Sequence, residues 1–244
     1  MAHVVIALAS SDFDPTEAAV PWSVLTEAGH TVSFATADGR PGACDPLMLS
    51  GVAFGAIRAT APNRDLYRQM TESPEFQSPL RYSDIEAEGS DAPDLLVLPG
   101  GHAPGMRQYL EDTDLQQLVA AFLATDRPIG SICHGAVVLA RARAADGGHA
   151  IAGRRITGLP KTMEMGAWLL TAATRGSYFR TYPLAVEDEV RTALGDGTFE
   201  TGPLVPSYGN PFTVRDGNLV TARWPGDARR FADELVALLA ERGA

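Results

Sequence analysis

The sequence predicts an α/β fold, a mostly parallel sheet covered by helices on both faces. Short continuous apolar runs alternate along the chain with capped, amphipathic helical segments, the order that builds a parallel sheet through crossover helices. The chain has 244 residues, 45% of them hydrophobic and 20% charged, enough apolar mass for one large domain with a sizeable core.

The elements follow in order. "HVVIALA" (3–9) reads as a strand buried on both faces. "DPTEAAVPWSVLTEAGH" (14–30) reads as a helix with Asp14 as N-cap, Pro15 at its first position and Gly29 as its stop. "TVSFATA" is a second strand. Residues 38–92 are irregular and rich in Pro, Gly and acidic groups, with "NRDLYRQMTES" as their periodic segment. They read as an insertion or lid on a single domain spanning 1–244, because they hold too few large apolar residues for a core of their own.

The alternation then resumes. "DLLVLPGG" (94–101) is a strand running into a glycine turn, "DTDLQQLVAAFLATDR" (112–127) a capped amphipathic helix, and "PIGSI" (128–132) a further strand. "HGAVVLARAR" (134–143) opens a helix directly after it. "RRITGL" reads as a strand, and "MEMGAWLLTAAT" and "LAVEDEVRTAL" as helices. "FTVRDGNLVTAR" (212–223) is a small β-hairpin around Asp216-Gly217. "GDARRFADELVALLAERG" is a terminal amphipathic helix.

A net charge of −10 argues against nucleic-acid or anionic-membrane partners, which demand clustered cations. The basic residues are nearly all Arg, with Lys161 the only lysine. "MAHVVIALASS" has no basic leader region, and no stretch approaches the length of a membrane span. Cys44 and Cys133, the two cysteines, are expected to be reduced thiols. A cytoplasmic protein is expected.

The densest chemistry lies in "PIGSICHGAVVLAR" (128–141). Cys133 falls at the carboxyl end of a strand, where ligands of open α/β sheets gather, on a tight strand-to-helix turn like a nucleophile elbow. A helix N-terminus behind it favours a thiolate. The turn alone is equally consistent with a buried structural cysteine. A metal site has little support, because the one ligand type nearby is adjacent His134. "LPGG" (98–101) ends the neighbouring strand, and the amides of Gly100 and Gly101 are candidates for an oxyanion hole or an ordinary turn.

Taken together, "DLLVLPGGHAPGM", "SICHG" and "DGNLVTARWPGDARRFADELVALL" resemble the ThiJ/PfpI (DJ) superfamily of class I glutamine-amidotransferase-like folds. The resemblance implies a flavodoxin-like three-layer sandwich and runs from residue 3 to the terminal helix. The long chain and the 38–92 stretch are most similar to the heat-shock chaperone and glyoxalase III branch. Glutaminase activity is not expected: from Cys133 onward the histidines are His134 and His149, and no His-x-Glu follows.

Position by position, the resemblance makes Cys133 the nucleophile and His134 the histidine that follows it. It points to Glu164 in "ITGLPKTMEMG" as the acid that orients His134; alternatively Glu164 is a solvated helix-terminal glutamate. Glu17 in "DPTEAAVPW" matches a glutamate kept near the sulfur. Helix geometry places it on the first turn, able to point into the cleft. Burial beside a thiolate would raise its pKa and let it shuttle protons; alternatively Glu17 is a first-turn glutamate favoured by the helix dipole. His102 in "GGHAPG" is expected in the same pocket, contacting substrate or capping a loop. Trp22 and Met163 are core or pocket wall.

The resemblance implies a cofactor-independent glyoxalase III-like activity on small α-oxoaldehydes, with no metal and a homodimeric state. Protein deglycase and holdase activities occur in the same branch. The rivals are a different thiol hydrolase or hydratase on this scaffold, and a non-enzymatic chaperone or redox sensor using Cys133.

Overall fold

The computed structural model describes residues 1–52, 57–203, 205 and 207–243. A seven-stranded sheet forms the centre. Its strands are β1 (His3–Ala7), β3 (Thr31–Thr36), β5 (Leu80–Arg81), β6 (Leu95–Leu98), β7 (Ile129–Ile132), β10 (Thr213–Asp216) and β11 (Leu219–Ala222). They lie in the order β10-β11-β7-β6-β1-β3-β5, and every pairing is parallel except the β10-β11 hairpin. Two small ribbons complete the strands: β2 (Ser11–Phe13) with β4 (Ala43–Cys44), and β8 (Arg155–Ile156) with β9 (Thr198–Phe199).

The sequence pattern explains the layers. β6 and β7 are buried at every position, as strands covered on both faces must be. On one face α1 (Pro15–Glu27) packs against both α3 (Ala61–Glu72) and α10 (Ala228–Glu241). On the other, α6 (Thr113–Ala124) and α9 (Val186–Leu194) pack against α7 (Gly135–Arg141). α2 (Pro46–Ser50), α4 (Pro74–Gln77) and α5 (Arg107–Leu110) are short connectors, while α8 (Lys161–Arg175) lies against α9. Gly130 shows how tightly one layer closes: a Cβ there would meet Phe231 and Leu235 of α10 at 2.8 Å.

The Asp14 cap and Pro15 start form as the sequence predicts. Asp14 Oδ1 accepts from the amides of Thr16 (2.8 Å) and Glu17 (3.1 Å), two donors that the first helical turn cannot satisfy itself.

The 38–92 stretch, expected as an insertion or lid, is more closely built into the sheet layers. Its β5 extends the sheet beside β3, its α3 covers α1, and buried Tyr82 donates to the Leu8 carbonyl oxygen. Amphipathicity accounts for this: Met70 on α3 is fully buried although the helix is mostly polar. Residues 53–56 of that stretch lie outside the described residues. No helix among the described residues is long and apolar enough to cross a membrane.

Candidate active site

Three elements bring the site together at the carboxyl edge of the sheet. Cys133 directly follows β7, α1 begins two residues before Glu17, and the turn after β6 carries Gly100 between them. Cys133 adopts φ +58°, the left-handed conformation of a nucleophile elbow, which costs a non-glycine residue energy and aims its side chain away from the strand. Gly100 is required by close approach. A Cβ there would lie 2.6 Å from the His134 nitrogen, 2.8 Å from Cys133 Cβ and 2.9 Å from Glu17 Oε2.

Glu17 is fully buried and its Oε2 accepts from the Gly100 amide at 2.8 Å. Oε1 has no hydrogen-bond partner among the described residues. Burial first, and the neighbouring Asp14 charge second, push this carboxyl well above the usual carboxylate range. Burial also raises Asp14 to about 6. The direction is the one expected, but after burial its cause is the Asp14 charge rather than a neighbouring thiolate. The Gly100 amide does not act as expected: it serves the Glu17 carboxyl rather than an oxyanion.

Cys133 is 3% exposed, at the floor of the cavity. The helix N-terminus behind it was expected to favour a thiolate. Burial outweighs that effect, and with the charges of Glu17 and Asp14 it holds the thiol well above its ordinary range, although the His134 amide pulls the other way.

His134 is fully buried, with Nδ1 3.5 Å from Cys133 Sγ and Nε2 3.2 Å from Thr181 Oγ1. The Thr181 hydroxyl also donates to the His102 carbonyl oxygen at 2.9 Å. A hydroxyl has one hydrogen, and a carbonyl can only accept. Thr181 therefore accepts from Nε2–H, and Nδ1 presents its lone pair to the sulfur. Burial, with His102 beside it, pushes the imidazole down to about 3, so it is neutral at pH 7.

The expected orienter, Glu164, does not reach His134. It stands in the first turn of α8, and its Oε2 accepts from the Val186 amide at 2.9 Å. That bond ties α8 to the start of α9, a helix whose first amide needs an acceptor. Burial raises Glu164 to about 7. It lines the same cavity as Cys133, so it faces the site without belonging to the hydrogen-bond chain.

His102 sits as expected at the pocket, its ring centroid 4.6 Å from Phe179 and 6.2 Å from His134. Its Nε2 is buried and unpartnered among the described residues, and burial lowers its pKa to about 4. Gly101 has φ +155°, and a Cβ there would collide with the Asp12 carbonyl oxygen at 2.5 Å. Met163 lines the cavity and Trp22 packs on the core. Among the described residues, no group of three or more His, Cys, Asp or Glu is placed to hold a metal ion.

Thr181 is the residue of this hydrogen-bond chain that sequence reasoning missed. It lies in the loop between α8 and α9, without motif or periodicity to mark it.

The fold and the site together define an α/β protein with a cysteine on a strand-to-helix elbow, a buried glutamate against it and a histidine after it. The chain belongs to the ThiJ/PfpI family: the model described as "ThiJ/PfpI family-like" matches residues 8–193. Among curated relatives, an uncharacterized protein of Schizosaccharomyces pombe is 29% identical over 183 residues, covering 72% of this chain and 66% of its own length. Protein DJ-1 homolog D of Arabidopsis thaliana is 32% identical over 167 residues, covering 67% of this chain but only 31% of that protein. The crystal structure of glyoxalase III from Candida albicans superposes with a TM-score of 0.72 at 21% identity, covering 97% of each chain.

Proposed function

We propose that this chain is a cysteine-dependent, cofactor-independent, glyoxalase III-like enzyme that converts α-oxoaldehydes to 2-hydroxy acids. The observation that supports it best is the convergence of Glu17, Cys133 and His134 around Gly100, with Glu17 Oε1 left unpartnered. A hydrolase needs a nucleophile and an oxyanion donor. Moving a proton between adjacent carbons needs a second acid–base group over the adduct, and Glu17 is that group. The shared fold with Candida albicans glyoxalase III is consistent with this reading.

In the proposed reaction, Cys133 Sγ attacks the aldehyde carbon and a C–S bond forms. The carbonyl π electrons move to oxygen, and the thiol proton passes to His134 Nδ1 and on to that oxygen. Glu17, in its ionised form, takes the C1 proton of the hemithioacetal and returns it to C2, while the C1 hydroxyl proton moves to the C2 oxygen, so the step passes through an enediol. The product is a thioester of the 2-hydroxy acid. Water cleaves its C–S bond, releasing the acid and restoring the thiol. The net change is addition of one water, with no external oxidant. We place this activity in a homodimer, as the family resemblance implies, and in the cytoplasm.

The test separates sulfur from proton relay. Glu17→Ala is expected to leave Cys133 reactive toward iodoacetamide while nearly eliminating lactate formation from methylglyoxal without glutathione. Glu17→Asp is expected to be almost as damaging, since one methylene withdraws the carboxyl beyond hydrogen-bond reach. Near-full turnover by Glu17→Ala would overturn the reading in favour of a hydrolase using Cys133 and His134.

A further inference from the structure

The cavity above Cys133 has a volume of about 350 Å³, within the range that encloses drug-sized ligands. Methylglyoxal carries a single methyl group beyond its two carbonyls and would leave most of that space empty. The walls are apolar, with Met48, Leu159, Met163, Leu170 and Phe179 among them. Buried Phe179 lies tilted against His102, so the apolar wall begins next to the reacting groups. It runs outward to Leu170, which is 57% exposed. Among the described lining residues the one cation is Arg58, and it is solvent-exposed.

Gly166 is the telling residue. It stands inside α8, where glycine is a poor helix former. A Cβ built there meets no atom within 4 Å, and its φ is not left-handed. Neither the backbone nor close packing demands glycine, yet the residue lines the cavity. Gly166 is itself solvent-exposed, so the missing side chain leaves the outer mouth of the cavity open.

We infer that the site takes oxoaldehydes bearing an extended apolar substituent, an alkyl chain or aryl ring that lies along Phe179, Met163 and Leu170 toward the mouth that Gly166 leaves open. The inference rests on the oxoaldehyde reading for the reacting group and on the cavity for the substituent.

Two series test it. In the first, kcat/KM is measured for straight-chain alkylglyoxals from methyl to hexyl, whose reacting carbonyls are alike. It is expected to rise roughly fourfold per methylene and to flatten in Gly166→Leu, which narrows the channel mouth while favouring the helix. Ala167→Leu, on the same wall, is the second filling variant should the first fold poorly. In the second series, N-alkylmaleimides of the same lengths react with Cys133: a C–S bond forms, the C=C π bond breaks, and the resulting enolate carbon takes a proton from water. Rates are read by mass spectrometry of the Cys133 peptide, normalised to glutathione.

A rise with chain length in both series, flattened by filling, supports the inference. A flat or falling maleimide series in the wild type overturns it. So does methylglyoxal as the best alkylglyoxal, although that result leaves the oxoaldehyde reading standing. A rising maleimide series with no turnover of any alkylglyoxal supports the apolar channel and removes the oxoaldehyde reading instead.

Discussion

The Thr181 hydroxyl, 3.2 Å from His134 Nε2, decides which ring nitrogen of His134 carries the proton and leaves Nδ1 free to face the sulfur. Because it spends its only hydrogen on the His102 carbonyl oxygen, the ring must donate to it. Thr181 is a positioning residue, acting through His134. Thr181→Val is expected to lower kcat about tenfold, the value of one neutral hydrogen bond of about 1.4 kcal/mol, with KM little changed. Thr181→Ser keeps the hydroxyl and is expected to restore most of the rate. A purely structural role would give no such rescue.

Cys133 alkylation is expected to depend steeply on pH. Its thiol is held well above the ordinary range, so the thiolate fraction, and with it the iodoacetamide rate, continues to rise past pH 9. Cys44 is buried and pushed up to about 12, so it is expected to stay unlabelled in the folded protein. Cys133→Ala is expected to abolish turnover, while Cys44→Ala is expected to retain it. Equal losses from the two would remove the single-nucleophile assignment.

Asp14→Asn separates capping from charge. Asparagine can accept the same amide hydrogens, but it removes a carboxyl whose folded-state pKa is raised to about 6. Such a group contributes stability that is fully present below its unfolded pKa and is lost as pH rises through about 6. The variant is therefore expected to show a smaller fall in Tm than wild type between pH 5 and pH 8. Asp14 also raises both Glu17 and Cys133, so Asp14→Asn is expected to speed Cys133 alkylation at pH 8. An unchanged Tm difference and alkylation rate would mean that Asp14 carries no charge the site feels.

Gly100→Ala places a Cβ among His134, Cys133 and Glu17 at distances under 3 Å. Backbone and elbow must then shift, at about 1–3 kcal/mol. Urea unfolding is expected to show that modest loss, while turnover falls by more than about a hundredfold because the reacting groups are displaced. A loss of activity no larger than the loss of stability explains would argue that the three groups do not act together.

The sequence made the sheet, the elbow and Glu17 legible because each rests on local pattern. Apolar runs mark the strands, Asp14-Pro15 marks the helix start, and the first helical turn places Glu17 at the sheet edge. What stayed hidden depends on contacts between distant segments. Thr181 reaches His134 across 47 positions. Glu164 lies in the first turn of α8, where the family resemblance points to an orienting acid, but the amide it satisfies belongs to Val186. The Gly100 amide was readable as a donor, yet its acceptor, Glu17, is 83 positions away. The thiol pKa likewise turned on burial and two carboxyls, which no local pattern encodes.

The left-handed backbone of Cys133 sets two selective pressures against each other at one position. A φ of +58° costs a side-chain-bearing residue on the order of 1 kcal/mol that glycine would not incur. Cys133→Gly is thus expected to melt higher than Cys133→Ala while both are inert. In a library screened only for soluble yield, this codon would drift toward glycine. Retention of cysteine there under neutral mutation would register that the reaction itself is being selected, even before its natural substrate is in hand.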